Sequence, residues 1–197
     1  MESRDLELAI AEGALEGAPV EPGRAARLAR LLGYDERLLL HFSRYHSPWR
    51  TRIARFLTGA GEARTWVAAG SLLVASRRPT LVHIGLRLGA GCLLGAATTQ
   101  ILKRVLNRAR PTNAIEGFEA LAENPDMFSF PSGHAAAAFG VAIALGGEPG
   151  GAGSVSLLLA TGIALSRVYL GAHYPLDVIA GGALGAASGI AARLLVP

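Results

Sequence analysis

Hydrophobic and polar positions divide the chain into a charged first third and an apolar remainder, in which hydrophobic runs alternate with short polar breaks. Residues 1 to about 35 set small apolar groups between Glu, Arg, Gly and Pro, as in AEGALEGAPVEPGRAARLARLLG. That pattern predicts one or two surface helices or an unordered stretch. From Asp35 to about Leu57, Arg, His, Trp and Tyr interleave with leucines. Such a segment is too charged to cross a bilayer but suits an amphipathic helix lying along its surface, and His41 and His46 within it read as surface residues rather than ligands.

Five apolar segments follow, at about Ala63–Ser76, Thr80–Leu102, Ser132–Leu145, Ser154–Leu170 and Pro175–Leu195. A helix needs roughly 20 residues to cross the hydrocarbon core, so the first of them is short for a span. His83 and Arg87 interrupt the second and must face the bundle or a boundary, because facing lipid would cost several kcal/mol. Gly181, Gly185 and Gly189 form a four-residue stripe that lets helices approach closely, and Gly91 and Gly95 repeat the spacing. The fold class predicted is an all-α, multi-pass transmembrane helical bundle. Residues 1–62 form a polar, amphipathic and interfacial N-terminal segment, and residues 63–197 form the membrane domain with about five spans.

Composition strengthens this picture: 51% of the 197 residues are hydrophobic and only 17% charged. Nine of the fifteen acids fall before residue 63. A net charge of +4, spread over scattered arginines, gives no footprint for nucleic acid. Cys92 is the single cysteine and forms no internal disulfide. The acidic start MESRDLELAIAEG lacks the apolar core of a signal peptide.

Candidate chemistry lies in three polar stretches between the apolar segments: KRVLNRARP, FSFPSGHAAAAFG and SRVYLGAHYPLDVIAG. In the last, proline favours a first helical turn, so a helix starts near Tyr174 with His173 at its mouth and Asp177 one turn further in. There the carboxylate can hold one imidazole nitrogen and leave the other free to attack. Taken alone, the pair also suits an interfacial histidine beside a capping aspartate. Successive crossings bring Lys103, Arg110 and His134 to the same membrane face as Arg167, His173 and Asp177.

Three permanent cations together point to a phosphoryl group, since arginine forks match its oxygens and lysine adds a point charge. Ser132 suits a helix N-cap and Gly133 lets the backbone come close, so this helix start offers amide donors to an oxyanion. The acids after residue 63 show no two-His-plus-carboxylate spacing and no DxD pair, so the pattern calls for no metal and the cations neutralise the phosphate instead. His173 as nucleophile and His134 as acid for the leaving oxygen account for both rings.

These three stretches resemble the signature motifs of the type 2 phosphatidic acid phosphatase family, whose superfamily includes the vanadium-dependent haloperoxidases. The match covers about Lys103 to Asp177. The resemblance implies an acid phosphatase/haloperoxidase-like helical core in which Lys103, Arg110 and Arg167 bind phosphate and Ser132 and Gly133 contribute donors. It also implies that His173 forms a phosphohistidine, that His134 is the acid and that Asp177 orients the nucleophile, with no cofactor. The active site is then expected to face away from the cytoplasm across a cell membrane.

The reading is an integral membrane phosphatase acting on a lipid phosphate or diphosphate such as undecaprenyl diphosphate, phosphatidylglycerol phosphate or phosphatidic acid. Its partners are that lipid and the bilayer. The alternative, a vanadate-dependent haloperoxidase, is disfavoured by the lipid-length apolar runs. The connector TNAIEGFEALAENPDMFSF serves either as a headgroup lid or as a solvated link.

Overall fold

A computed structural model describes residues 22–122 and 126–197. The reading of residues 1–21, and of residues 123–125 in the connector, lies outside them. Within the described residues the chain forms seven α-helices of twelve residues or more and no strand. One isolated bridge pairs Ala109 with Phe128.

The segment from Asp35 to Leu57 is two helices rather than the single one predicted: α1 spans Pro22–Ser43 and α2 spans Pro48–Ala60. Ser47 precedes a proline, which disfavours helical geometry, and its backbone is extended at φ −152 and ψ 153. Pro48 then opens the new helix at its first position. α1 packs against two later helices, where Leu39 is fully buried in a cluster with Val168 and Tyr174. His46 is half-buried, and its Nε2 lies 2.8 Å from the carbonyl oxygen of Tyr169. It fastens the break between the two helices to the core, whereas His41 is exposed.

The apolar segments appear as α3 (Ala63–Ala75), α4 (Pro79–Leu106), α5 (Gly133–Ala144), α6 (Ala152–Tyr169) and α7 (Pro175–Leu195). Three of them, α4, α6 and α7, with 28, 18 and 21 residues, are long and apolar enough to cross a membrane. The helices α3 and α5 have 13 and 12 residues, and at 1.5 Å per residue they reach only about 20 Å of a core about 30 Å thick.

For α5 the reason is its position. It packs against α4, α6 and α7 at once, and Ala135, Ala136, Ala137, Ala138, Gly140, Val141, Ala142 and Ala144 are all buried. A helix surrounded by protein need not match the thickness of lipid. The glycine stripes make this possible: a methyl group built on Gly95 would sit 2.6 Å from the carbonyl oxygen of Ala136, and one on Gly91 would sit 2.5 Å from that of Gly140. Gly185 of α7 closes on the same Ala136 carbonyl, where an added methyl would sit 2.4 Å from its oxygen.

At the end of the bundle away from the polar motifs, Arg87 and His83 find boundary partners. Arg87 donates from Nη1 to Glu148 Oε1 at 2.6 Å and from Nε to the carbonyl of Val196 at 2.8 Å, and His83 Nε2 lies 2.9 Å from that of Pro197.

Candidate active site

The three polar stretches converge at one end of the bundle. α4 runs four residues beyond its predicted end, so Lys103 lies on its last turn, and Asn107 stops it in the left-handed region at φ 44. Lys103 and Arg110 are both buried. Arg110 Nη1 donates to the carbonyl of Ala172 at 2.7 Å and lies 3.5 Å from Nε2 of His173, so the first and third stretches meet directly.

Ser132 caps α5, its Oγ accepting from the backbone N–H of Ala135. The backbone N–H of Ser132 donates to the carbonyl of Asp177 at 2.9 Å, which ties the second stretch to the third. Arg167, on the last turn of α6, is buried and donates to Thr58 Oγ1 of α2 at 3.3 Å.

Tyr174 precedes α7 and Pro175 begins it, as the proline position predicts. Asp177 Oδ2 accepts the Tyr174 backbone N–H at 2.9 Å and faces Nδ1 of His173 at 3.5 Å. The second distance is longer than a well-formed N–H···O bond. The carboxylate therefore caps its helix and faces the imidazole at once. Burial pushes the His173 imidazole down to about 4, against the pull of Asp177, with the arginine charges adding to the effect. The ring is neutral near pH 7.

A cavity of about 170 Å³ opens between these groups, lined by Lys103, Arg110, Gly133, His134, Arg167 and His173. Gly61 and Ala63, at the start of α3, and Ala96 and the exposed Gln100 of α4 complete the lining. All eight candidate residues from the sequence thus belong to one assembly, with Ser132 at the capped helix start and Asp177 behind His173. Three clefts elsewhere are larger, two of about 550 Å³ and one of about 300 Å³, but none combines a histidine with a carboxylate.

Four residues in this assembly carried no assignment in the sequence. Asp126 lies among the cations: its Oδ2 is 2.7 Å from Lys103 Nζ, its Oδ1 pairs with Arg110 Nη2, and its carbonyl accepts from Arg110 Nε at 2.8 Å. Burial alone would raise this carboxyl, but the Lys103 and Arg110 hydrogen bonds outweigh it and hold it below its usual range. The described part of the connector is therefore neither a free link nor a detached lid, since Leu121 N–H also donates to the Leu170 carbonyl at 2.8 Å.

Arg108 donates to Asp177 Oδ1 at 2.6 Å and to Asp35 Oδ2 at 2.7 Å, and its guanidinium lies 4.0 Å from the centre of the Tyr174 ring. Thr58 braces Arg167. Arg108 was visible in KRVLNRARP as a further arginine two places before Arg110. Nothing marks Thr58 or Asp35 in the sequence.

Chemically, the cavity offers three cations and a helix N-terminus around a neutral imidazole whose Nε2 faces inward. Among the described residues no three His, Cys, Asp or Glu side chains are grouped as metal ligands.

The chain is 32% identical over 131 residues to an undecaprenyl-diphosphatase of Sulfolobus acidocaldarius, covering 66% of this chain and 63% of that protein. It is 37% identical over 132 residues to a decaprenylphosphoryl-5-phosphoribose phosphatase of Mycolicibacterium smegmatis, covering 65% and 69%. In fold it resembles the transmembrane PAP2-type phosphatidylglycerolphosphate phosphatase of Bacillus subtilis, with a TM-score of 0.69, 21% identity, and coverage of 98% of this chain and 91% of that one. Residues 84–197, which contain all three polar stretches, match the PAP2 superfamily, and the chain belongs to it.

Proposed function

We propose that the protein is a membrane phosphatase that hydrolyses a lipid phosphate or diphosphate through a phosphohistidine, without a metal. The observation that carries this reading is the placement of His173: Nδ1 faces Asp177, while Nε2 faces a cavity built from Lys103, Arg110 and Arg167.

In the proposed mechanism the cations and the amides at the start of α5 hold the phosphoryl oxygens and offset the charge that develops there. Nε2 of His173 attacks phosphorus, the bond to the leaving oxygen breaks, and His134 supplies the proton that oxygen takes. Water then attacks the phosphohistidine, giving its proton to His134 and releasing phosphate. Lys103, Arg110 and Arg167 supply the positive charge that a metal would bring in other phosphatases.

The exposed Gln100 of α4 in the cavity lining supports entry of a headgroup on that side. The two curated relatives act on polyprenyl-linked phosphates by name, so undecaprenyl diphosphate heads the substrate panel, followed by phosphatidylglycerol phosphate and phosphatidic acid. Trp49, Ile53 and Phe56 form an exposed apolar stripe on α2, which supports a resting place for this helix at the bilayer surface.

The test uses purified protein and a substrate labelled in its terminal phosphate. Wild type is expected to form an acid-labile, base-stable phosphoenzyme and to release phosphate in EDTA. His173→Ala is expected to do neither while remaining folded. Phosphate release by that variant at more than a few per cent of wild type removes His173 as nucleophile, and loss of activity on chelation, restored by a divalent ion, removes the metal-free mechanism.

A further inference from the structure

Arg108 is shared between two buried carboxylates from opposite ends of the sequence. Nη1 reaches Asp177 Oδ1 at 2.6 Å and Nη2 reaches Asp35 Oδ2 at 2.7 Å, and the two acid side chains are 0% and 1% exposed. The second oxygen of Asp35, Oδ1, accepts the backbone N–H of Leu176 at 2.8 Å. Asp35 therefore touches both the arginine behind Asp177 and the first turn of the helix that carries Asp177. Burial raises the Asp35 carboxyl, and the Leu176 and Arg108 hydrogen bonds oppose that rise.

This sharing determines which oxygen Asp177 presents to His173. A guanidinium facing a lone carboxylate tends to engage both oxygens with a two-pronged fork. With one prong held by Asp35, Arg108 engages Oδ1 of Asp177 alone. Oδ2 is left to the Tyr174 N–H and to Nδ1 of His173. Without Asp35 the fork is free to close on Asp177 and draw Oδ2 away from the imidazole.

We propose that Asp35 is a positioning residue for the reaction: by occupying one arm of Arg108 it keeps Asp177 Oδ2 on His173 and so fixes the aim of the nucleophile. This rests on the reading of His173 and Asp177 given above. It assigns the N-terminal helix α1, which lies outside the matched residues 84–197, a part in the chemistry. Among the described residues none of α1 lines the cavity, so the effect falls on turnover rather than on substrate binding.

The experiment compares wild type, Asp35→Ala, Arg108→Ala and the double variant as full-length protein in detergent, with kcat, KM and apparent Tm measured on one lipid diphosphate. Asp35→Ala is expected to lower kcat roughly ten- to hundredfold, as sub-ångström misplacement of a nucleophile does, with KM within about twofold of wild type. In the Arg108→Ala background, adding Asp35→Ala is expected to change kcat by less than about twofold, because the two residues act as one unit.

Wild-type kcat in a folded Asp35→Ala protein overturns the proposal. So does a raised KM at unchanged kcat, or an equal loss in both backgrounds, which is the signature of a purely structural anchor. Should Asp35→Ala fail to fold, Arg108→Lys decides, since a point charge keeps the sign but cannot span two carboxylates. Lower kcat at unchanged KM supports the bridge, and wild-type kcat refutes it. His173→Ala from the same preparation separates the two levels: if it is inactive, a negative result at Asp35 counts against the bridge alone, and if it is active, the reading of the nucleophile falls too.

Discussion

Replacing Gly95 by alanine adds one methyl group at the tightest kind of contact in the bundle. That carbon would lie 2.6 Å from the carbonyl oxygen of Ala136, where ordinary van der Waals contact begins at 3.4 Å. The neighbour is backbone, and Gly185 contacts the same carbonyl, so it cannot turn aside as a side chain would. α4 and α5 must separate by about 0.8 Å, and overpacking of this kind costs about 1–3 kcal/mol.

In a chain of this length that lowers the midpoint of unfolding by several degrees. The displacement also reaches the first turn of α5, which carries Ser132, Gly133 and His134, so kcat is expected to fall roughly ten- to hundredfold. Gly89 on the same helix has nothing within 4 Å of an added methyl. Gly89→Ala is therefore expected to leave kcat unchanged and to stabilise by about 0.5–1 kcal/mol through backbone entropy. Both are checked by thermal shift in detergent and by phosphate release from the same preparations. A Gly95→Ala protein that melts at or above wild type with full turnover refutes the packing described for α4 and α5.

Two further outcomes concern the pocket and its orientation. Asp126→Asn is expected to tighten inhibition by vanadate about three- to tenfold, because a half-exposed carboxylate paired with Lys103 and Arg110 competes with the incoming anion, and such pairs contribute up to about 1 kcal/mol each. Unchanged inhibition shows that Asp126 does not compete with the anion, and weaker inhibition shows that it assists anion binding instead. For sidedness, a cysteine at Arg44, exposed in the turn before α2, is placed in a Cys92→Ala background and probed in intact cells with a membrane-impermeant maleimide. Labelling is the outcome for a site facing away from the cytoplasm, and protection until lysis turns the site inward.

How much of this was legible in the sequence depended on the range of the interaction concerned. The start of α7 followed from Pro175, whose ring fixes the local backbone, and the closeness of His173 and Asp177 followed from one helical turn. Ser47-Pro48 carried the same kind of signal for the break between α1 and α2, but the apolar pattern on either side masked it. Hydropathy could not show that α5 is enclosed by protein, because alanine and glycine satisfy lipid and helix neighbours alike. Asp35 and Asp126 were illegible for another reason. Each is one acid among several in a polar stretch, and only the folded chain brings Asp35 to Arg108 and Asp126 to Lys103. Identifying those partners requires knowing how the helices pack.

Where α5 meets α4 and α7, the alanines and glycines leave few side-chain torsions to freeze or jam. Ala136 and Gly140 meet Gly91, Gly95, Gly185 and Gly189 main chain against main chain. The anion cradle at the head of α5 is thus set by the placement of whole helices and is indifferent to rotamer exchange in its surroundings. Adaptation to a new headgroup has little room in that interior. It falls to the less buried lining residues Ala63, Ala96 and Gln100, where side chains can be enlarged or recharged while the phosphate chemistry beside them stays as it is.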